Sequence, residues 1–438
     1  MLMSLPILFL SYHFPPIGGP GVQRSLKFVR YLPDSGFQPI VVAGPARGQD
    51  RYEPEDASLL AELQPGVVMY RSASLPPECN ALGTRLTKML GRSGDRFRWW
   101  CDQAWELGLR AAREHNVRLV FVTAAPFEGI SAAVRIGREL DVPVIADLRD
   151  PWALDEVMVF PTAIHRRRLL GIMGKTLSAV DLIVMNTPEA EKAVREAFPH
   201  LASRCRHVTN GYDPADFQGV NRTGEKHRFV ITHAGYLHTD IGRRRPWLRR
   251  IVGGELVPVD HLSRSVFFLL KVLELLGQEQ PGLLDRLKLN LVGPVTDADR
   301  ACVERSSVRH YVHLGGYVTH QKTIEALVNS DLLFLPMHGL PRGTRARIVP
   351  AKLYEYLGSG RPILAAVPEG DARDFILEAM AGRVVEPSDV DGMARALRAF
   401  LEEAPTPSRP EIPEITRFSR RILTESLARH IRQVVSGG

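Results

Sequence analysis

Cysteine is scarce in this chain of 438 residues: Cys79, Cys101, Cys205 and Cys302 lie far apart and form no CxxC pair. That excludes a disulfide framework and a zinc knuckle, and it fits a reducing compartment. Long apolar runs are missing too, and nothing approaches the roughly 18 residues that a membrane-spanning helix needs. The opening MLMSLPILFLSYHFPP has a short apolar stretch broken by Pro6 and no basic residue ahead of it. It reads as a buried first strand and not as a secretion signal. Neither sign of charge dominates: 56 Lys and Arg stand against 49 Asp and Glu, a formal +7. That balance excludes an acidic or disordered chain and does not on its own point to nucleic acid. No zinc finger, recognition helix or aromatic RNA-binding strand is recognisable, so no nucleic-acid partner is expected.

What is present is an alternation. The 36 Gly and 32 Pro exclude a helical bundle. Short apolar runs alternate with longer helical stretches, the pattern of a parallel sheet with crossover helices. The spacing predicts strands at Pro6–Leu10, Ile40–Ala43, Val67–Tyr70, Leu119–Val122, Val144–Ala146, Leu182–Met185 and His207–Val208. After a polar stretch, Gly219–Arg228, a second series follows at Phe229–His233, Leu287–Val292, Tyr311–Leu314, Leu332–Leu335, Ile363–Ala366 and Val384–Val385. Prolines 405, 407, 410 and 413 then precede a final amphipathic helix carrying Phe418, Leu423, Leu427, Ile431 and Val434. Two consecutive α/β series imply two facing Rossmann-like doubly wound domains. They are expected at residues 1–215, joined by the returning helix of 416–438, and at residues 228–403.

In such sheets ligands bind beyond the carboxyl ends of the strands, which fixes the loops to search. Gly18, Gly19 and Gly21 lie between the first strand and the first helix, where a phosphate can approach backbone N–H groups. The pattern is GGxG, and a loop that needs glycine only for its turns would look the same. His13 in this loop can donate to a sugar hydroxyl or a pyrophosphate oxygen, or it can be structural. Asp147, Arg149, Asp150 and Trp152 concentrate charge and an aromatic plane beyond another buried strand, suited to hydroxyl-rich ligands, with Arg149 the expected brace. In the second series, Gly235 and the run Arg243, Arg244, Arg245 follow the first strand, where guanidinium groups can neutralise a diphosphate without metal. With Trp247, Arg249 and Arg250, and with the His165–Arg168 cluster, the same residues also suit an anionic membrane surface. Asp297 and Asp299 form a DxD that reads as a helix cap in preference to a metal site. Lys352 and Glu355 fall one turn apart on a helix opening near Pro350 and stopping at Gly358 to Pro362, so a lysine can face phosphate while a carboxylate takes ribose hydroxyls.

The stretches LSYHFPPIGGPGVQRSLKFVRYL, ADLRDPW, VTNGYD and VPAKLYEYLGSGRPIL stand in the order of a known family. Through both domains the chain resembles a GT-B glycosyltransferase of the family 4 type, similar to bacterial members that build cell-surface polysaccharides and glycolipids. The resemblance implies a nucleoside-diphosphate sugar bound mainly by the second domain and a glycan or lipid-linked sugar acceptor against the first. It also implies retention of configuration and no metal, and no other cofactor is expected. From the scarce cysteines and the basic patches at His165–Arg168 and Arg243–Arg250, a cytoplasmic location, peripheral on the inner face of the membrane, is expected. By that analogy Glu355 holds the ribose and Gly316, Tyr317 and Val318 border the base. Arg243 and Lys352 meet the diphosphate, Gly18 and Gly19 lie beneath phosphate and sugar, and Asn210 and Gly211 form the hinge.

Two departures stand out. Many members carry two glutamates separated by seven residues, and Arg347 occupies the place of the first. Arginine accepts no hydrogen bond, so either another group positions the sugar or the donor is itself anionic. The histidine that many members place beyond a middle strand is missing from TAAPFEG, which leaves His13, Asp147 or Asp150 to contact the acceptor. A sugar-nucleotide epimerase on the same architecture and a non-catalytic sugar or membrane-surface binding protein remain the alternatives.

Overall fold

Strand β1 (Leu5–Ser11) is buried along its last five residues, without alternation, as expected where helices cover both faces of a parallel sheet. This computed structural model describes residues 4–19, 21–48, 53–72, 95–223, 227–242, 253–402 and 412–436. The chain divides into two units, the first of Met1–Asn210, Ile251–Gly254 and Arg420–Gly438, the second of Gly211–Arg250 and Glu255–Ser419.

In the first unit β1 pairs in parallel with β2 (Phe37–Ala43) and β4 (Val120–Ala124). With β3 (Val68–Arg71), β5 (Val144–Leu148), β6 (Leu182–Met185) and β7 (Cys205–His207) the sheet runs β3-β2-β1-β4-β5-β6-β7. Its order reverses between β1 and β4, the switch point where such sheets open a crevice at the carboxyl ends. The seventh strand lies at 205–207 and not at the expected 207–208: Val208 carries the apolar signal but sits just past the ladder, donating to Met185 O at 2.9 Å. Helices α1 (Val22–Tyr31), α2 (Asp95–Glu114), α3 (Gly129–Leu140), α4 (Ala163–Leu177) and α5 (Pro188–Ala197) connect the strands. On one face Leu8, Leu10, Trp100 and Ile136 form the core. A Cβ on Gly108 would come within 2.7 Å of Ile136 Cδ1, so glycine lets α2 close on α3. On the other face Ile7, Phe9, Phe28 and Phe121 meet Leu427 and Ile431 of the last helix, which therefore belongs to this unit.

The second unit repeats the plan with β8 (Phe229–Ala234), β9 (Leu287–Val292), β10 (Val312–Gly316), β11 (Leu332–Pro336), β12 (Ile363–Ala366) and β13 (Gly382–Val385) in the parallel order β10-β9-β8-β11-β12-β13. Helices α6 (Phe267–Glu279), α7 (Asp297–Glu304), α8 (His320–Val328), α9 (Lys352–Gly358), α10 (Asp371–Glu378) and α11 (Val390–Glu402) complete it, and α12 (Arg420–Ser436) is the last helix of the first unit. Leucines of α6 cover one sheet face, and Leu353, Tyr354, Tyr356 and Leu357 of α9 pack in the core on the other.

The DxD opens α7 as a capping box. Asp299 takes the N–H and hydroxyl of Thr296 on Oδ2 and the Thr239 hydroxyl on Oδ1, while its own N–H bonds Thr296 Oγ1. Both oxygens of this buried carboxylate are engaged, so Asp299 serves the cap. Thr296→Ala should cost about 1 kcal/mol, read as a drop of roughly 2–4 °C in melting temperature. An unchanged melting temperature would show that the cap contributes nothing.

Candidate functional site

Glycines line the carboxyl ends of the second unit's strands. The Gly235 N–H bonds Val292 O at 2.7 Å, and the Gly293 N–H bonds Gly316 O at 2.7 Å. Gly235 has φ +105° and Gly293 φ +131°, conformations that side chains resist, and a Cβ on Gly293 would fall 2.8 Å from Gly235 O. The result is a floor of bare backbone at the ends of β8, β9 and β10.

Lys352, the first residue of α9, reaches this floor: its Nζ lies 2.9 Å from where a Cβ on Gly235 would stand and 3.2 Å from His233 Nε2. The His233 ring, 1% exposed, has Nδ1 3.1 Å from Phe334 O. A carbonyl only accepts, so Nδ1 carries the proton and the bare Nε2 receives a hydrogen bond from Lys352. Burial first and the Lys352 charge second hold His233 well below its ordinary pKa, so it stays neutral. Lys352 is itself held well below the usual lysine range, by burial and then by Arg264, with Glu355 opposing. Arg264 stands in the turn before α6. Its field also helps burial push His238 down to about 3. Lys352 thus stands over a glycine-lined floor within the field of Arg264, chemistry that suits an anion.

One turn along α9, half-buried Glu355 places Oε1 3.8 Å from His320 Nδ1, and His320 Nε2 lies 3.1 Å from Asp216 Oδ2. His320 opens α8 after Thr319, which follows Gly316, Tyr317 and Val318, so the carboxylate is held near that segment, where Tyr317 is 43% exposed. Arg347 is half-buried on the segment next to Ala346, whose N–H bonds Glu369 O. Arg243 lies outside the described residues.

The first unit's loops are more self-contained. Arg149 Nη2 lies 2.9 Å from His13 Nδ1, which is also 3.2 Å from Ala125 O, and His13 Nε2 lies 3.2 Å from Glu53 Oε1. Burial lowers the His13 pKa, and the Glu53 hydrogen bond opposes this. Arg149 also donates to Gly21 O and Ala125 O, and a Cβ on Gly21 would strike its Nη1 at 2.5 Å. Gly18 donates its N–H to Pro54 O at 2.6 Å, and Gly19 turns the chain with φ +89°. Asp147 is fully buried, and Arg24 forks onto it, Nη2 to Oδ1 at 2.6 Å and Nε to Oδ2 at 2.9 Å. Only Asp150 of the expected acceptor contacts is exposed at the end of β5. Asp147 is thus buried and engaged by Arg24, while His13 is partly exposed and pairs within the first unit.

Sequence reasoning passed over Arg264, although an arginine between two serines ahead of the apolar run FFLLKVLELL marks a helix start beside the crevice. It also passed over His320 and Asp216, whose pairing with Glu355 joins three separate elements.

Residues 261–403 match the family model described as Glycosyl transferases group 1. No curated protein matches the chain. Among solved structures, it is similar to a glycosyltransferase from Rickettsia africae ESF-5, at 12% identity and a TM-score of 0.62, over 99% of this chain and 100% of that one. Sucrose-phosphate synthase from Thermosynechococcus elongatus has a TM-score of 0.64 at 12% identity, over the same shares. Anabaena HepE, solved with UDP and glucose, gives 0.60 at 14%, over 98% of this chain and 100% of that one. At such identities the likeness speaks for the fold, and the family match speaks for the second unit. The chain thus has the GT-B fold of these solved glycosyltransferases, and residues 261–403 carry the match to the group 1 glycosyl transferase model.

Proposed function

We propose that this protein is a glycosyltransferase that takes a sugar from a nucleoside-diphosphate sugar and places it, with retention and without metal, on a hydroxyl of a glycan or lipid-linked acceptor in cell-surface polysaccharide synthesis. The observation that carries the donor reading is Lys352 Nζ over the Gly235–Gly293 floor, within the field of Arg264, with Glu355 one turn further along α9. In this reading the two cations hold the diphosphate, Glu355 accepts both ribose hydroxyls, and the Gly316–Val318 turn borders the base. HepE, solved with UDP and glucose, supports a donor of this class. As the sugar–phosphate bond breaks, negative charge gathers on the leaving diphosphate, where Lys352 and Arg264 stabilise it. The acceptor hydroxyl attacks from the same face and passes its proton to that phosphate, so no protein base is required. The internal engagement of His13 and Asp147 is compatible with this. No described helix is long and apolar enough to cross a membrane; in our reading any lipid-linked acceptor is met peripherally, at the inner face of the cell membrane.

The test is a thermal-shift panel of UDP, GDP and dTDP with their sugars, a uronic acid donor included because Arg347 stands where a glutamate is usual. A ligand at a hundredfold excess over its Kd stabilises by about 2.7 kcal/mol, a readily measured rise. Glu355→Ala should abolish that rise, and EDTA should leave turnover with the matched donor unchanged. A panel with no response would sink the donor assignment, whereas conversion of a nucleotide sugar without acceptor would favour an epimerase.

A further inference from the structure

Helix α4 (Ala163–Leu177) is clad on its inner side: Met173 and Leu177 are fully buried, and Leu169 and Leu170 pack against the same core. Its outward side is unusual. Ile164 is 75% exposed and Ile172 41%. Arg167, Arg168, Gly171 and Lys175 are exposed as well. Positions 164, 167, 168, 171, 172 and 175 follow the spacing of one helical face. The two isoleucines therefore stand about 12 Å apart along the axis with cations between and beyond them. The helix contains no Asp or Glu. Leu377 and Met380, another pair of exposed apolar side chains, instead flank Glu378, which pairs with Arg417.

Single exposed isoleucines are ordinary, but two sharing a face with cations and no carboxylate meet the conditions for lying on an anionic bilayer: apolar side chains enter the headgroup boundary while Arg and Lys meet lipid phosphates. We infer that the Ile164–Lys175 face of α4 is a docking surface for a membrane rich in anionic phospholipid. Charge complementarity selects this occupant. A second copy of the chain would set these cations against cations, and an acidic protein would have no use for two protruding isoleucines. Helix α4 also packs on the turn Trp152–Leu154 that follows β5. Docking there brings the carboxyl end of that strand towards the lipid surface.

The experiment is co-sedimentation of the full chain with vesicles of phosphatidylcholine alone or with about a third phosphatidylglycerol, at roughly 0.1 and 0.5 M salt. Binding is expected only to the anionic vesicles and should weaken sharply with salt. Arg167→Glu with Lys175→Glu should reduce it by about tenfold or more. Ile164→Ser with Ile172→Ser should weaken it at both salt concentrations. Arg305→Glu with Arg309→Glu, an equal charge change at exposed positions of the other unit, should leave it intact. Equal binding to neutral vesicles, no binding at all, or equal loss in the Arg305/Arg309 variant would overturn the inference. So would a serine variant that keeps vesicle binding and loses self-association, which would assign the face to a second copy. All variants should retain the wild-type melting temperature, since surface changes of this kind shift stability little.

Discussion

Replacing Lys352 by methionine should abolish measurable donor binding and at the same time raise the melting temperature. The two effects have one cause. Lys352 Nζ is held over Gly235 by the neutral His233 ring, beside Arg264, where burial and like charge both penalise its ammonium. Without donor, that penalty is a standing cost to the fold. When a diphosphate enters, the same ammonium gains charge-assisted hydrogen bonds in a desolvated place, so removing it should cost about 10²–10³ in kcat/KM. Methionine keeps the length and removes the charge. Calorimetric titration with the best nucleotide and a melting curve on the same sample read both signs. A variant that binds normally, or one that melts lower, would show that the site is not poised in this way.

The pH dependence follows from the same residue. The Lys352 pKa is lowered in the fold, so between that depressed value and the ordinary lysine value near 10.4 the unfolded chain holds one more proton than the native one. Its contribution to stability therefore rises with pH through that window. Donor affinity runs the opposite way: a bound diphosphate restores the charged form, binding takes up a proton, and affinity falls as pH rises across the window. In Lys352→Met this proton uptake should vanish, which titration in buffers of different ionisation enthalpy detects.

Much of this arrangement could be read from the residues, and the reasons differ by element. The buried parallel strands are short apolar runs between glycine-rich turns, so strands such as β6 and β9 appear where the spacing places them. Lys352 and Glu355 share a face because three residues separate them on a helix, a local fact that spacing conveys. His320 with Asp216 and Glu355 was invisible for the opposite reason, since the three come from different elements and only tertiary packing brings them together. Arg264 escaped notice because a long connection separates it from β8, and the arginine run nearer the strand drew attention to Arg243. The DLRD stretch invited a local pairing of Asp147 with Arg149. The actual partner, Arg24, lies 123 residues earlier in α1, while Arg149 turns to His13, Gly21 and Ala125.

That long-range pair carries the largest expected effect on stability. Arg24 is 1% exposed and Asp147 fully buried. Beyond the fork onto Asp147, Arg24 donates from Nη1 to Thr209 O and from Nη2 to Val208 O, each at 2.8 Å, and lies over the Phe28 ring. It thereby ties α1, β5 and the segment after β7 into one joint under the loop that follows β1. Asp147→Ala strands a guanidinium in the interior and should cost about 3–5 kcal/mol, a fall of roughly 6–20 °C in melting temperature. Arg24→Met, which strands the carboxylate, should cost a similar amount. The double variant Arg24→Met/Asp147→Leu removes both charges and should be less destabilised than either single change, the signature of a coupled buried pair. If Asp147→Ala instead melts like the wild type while turnover collapses, the carboxylate acts on the reaction and the brace assignment fails.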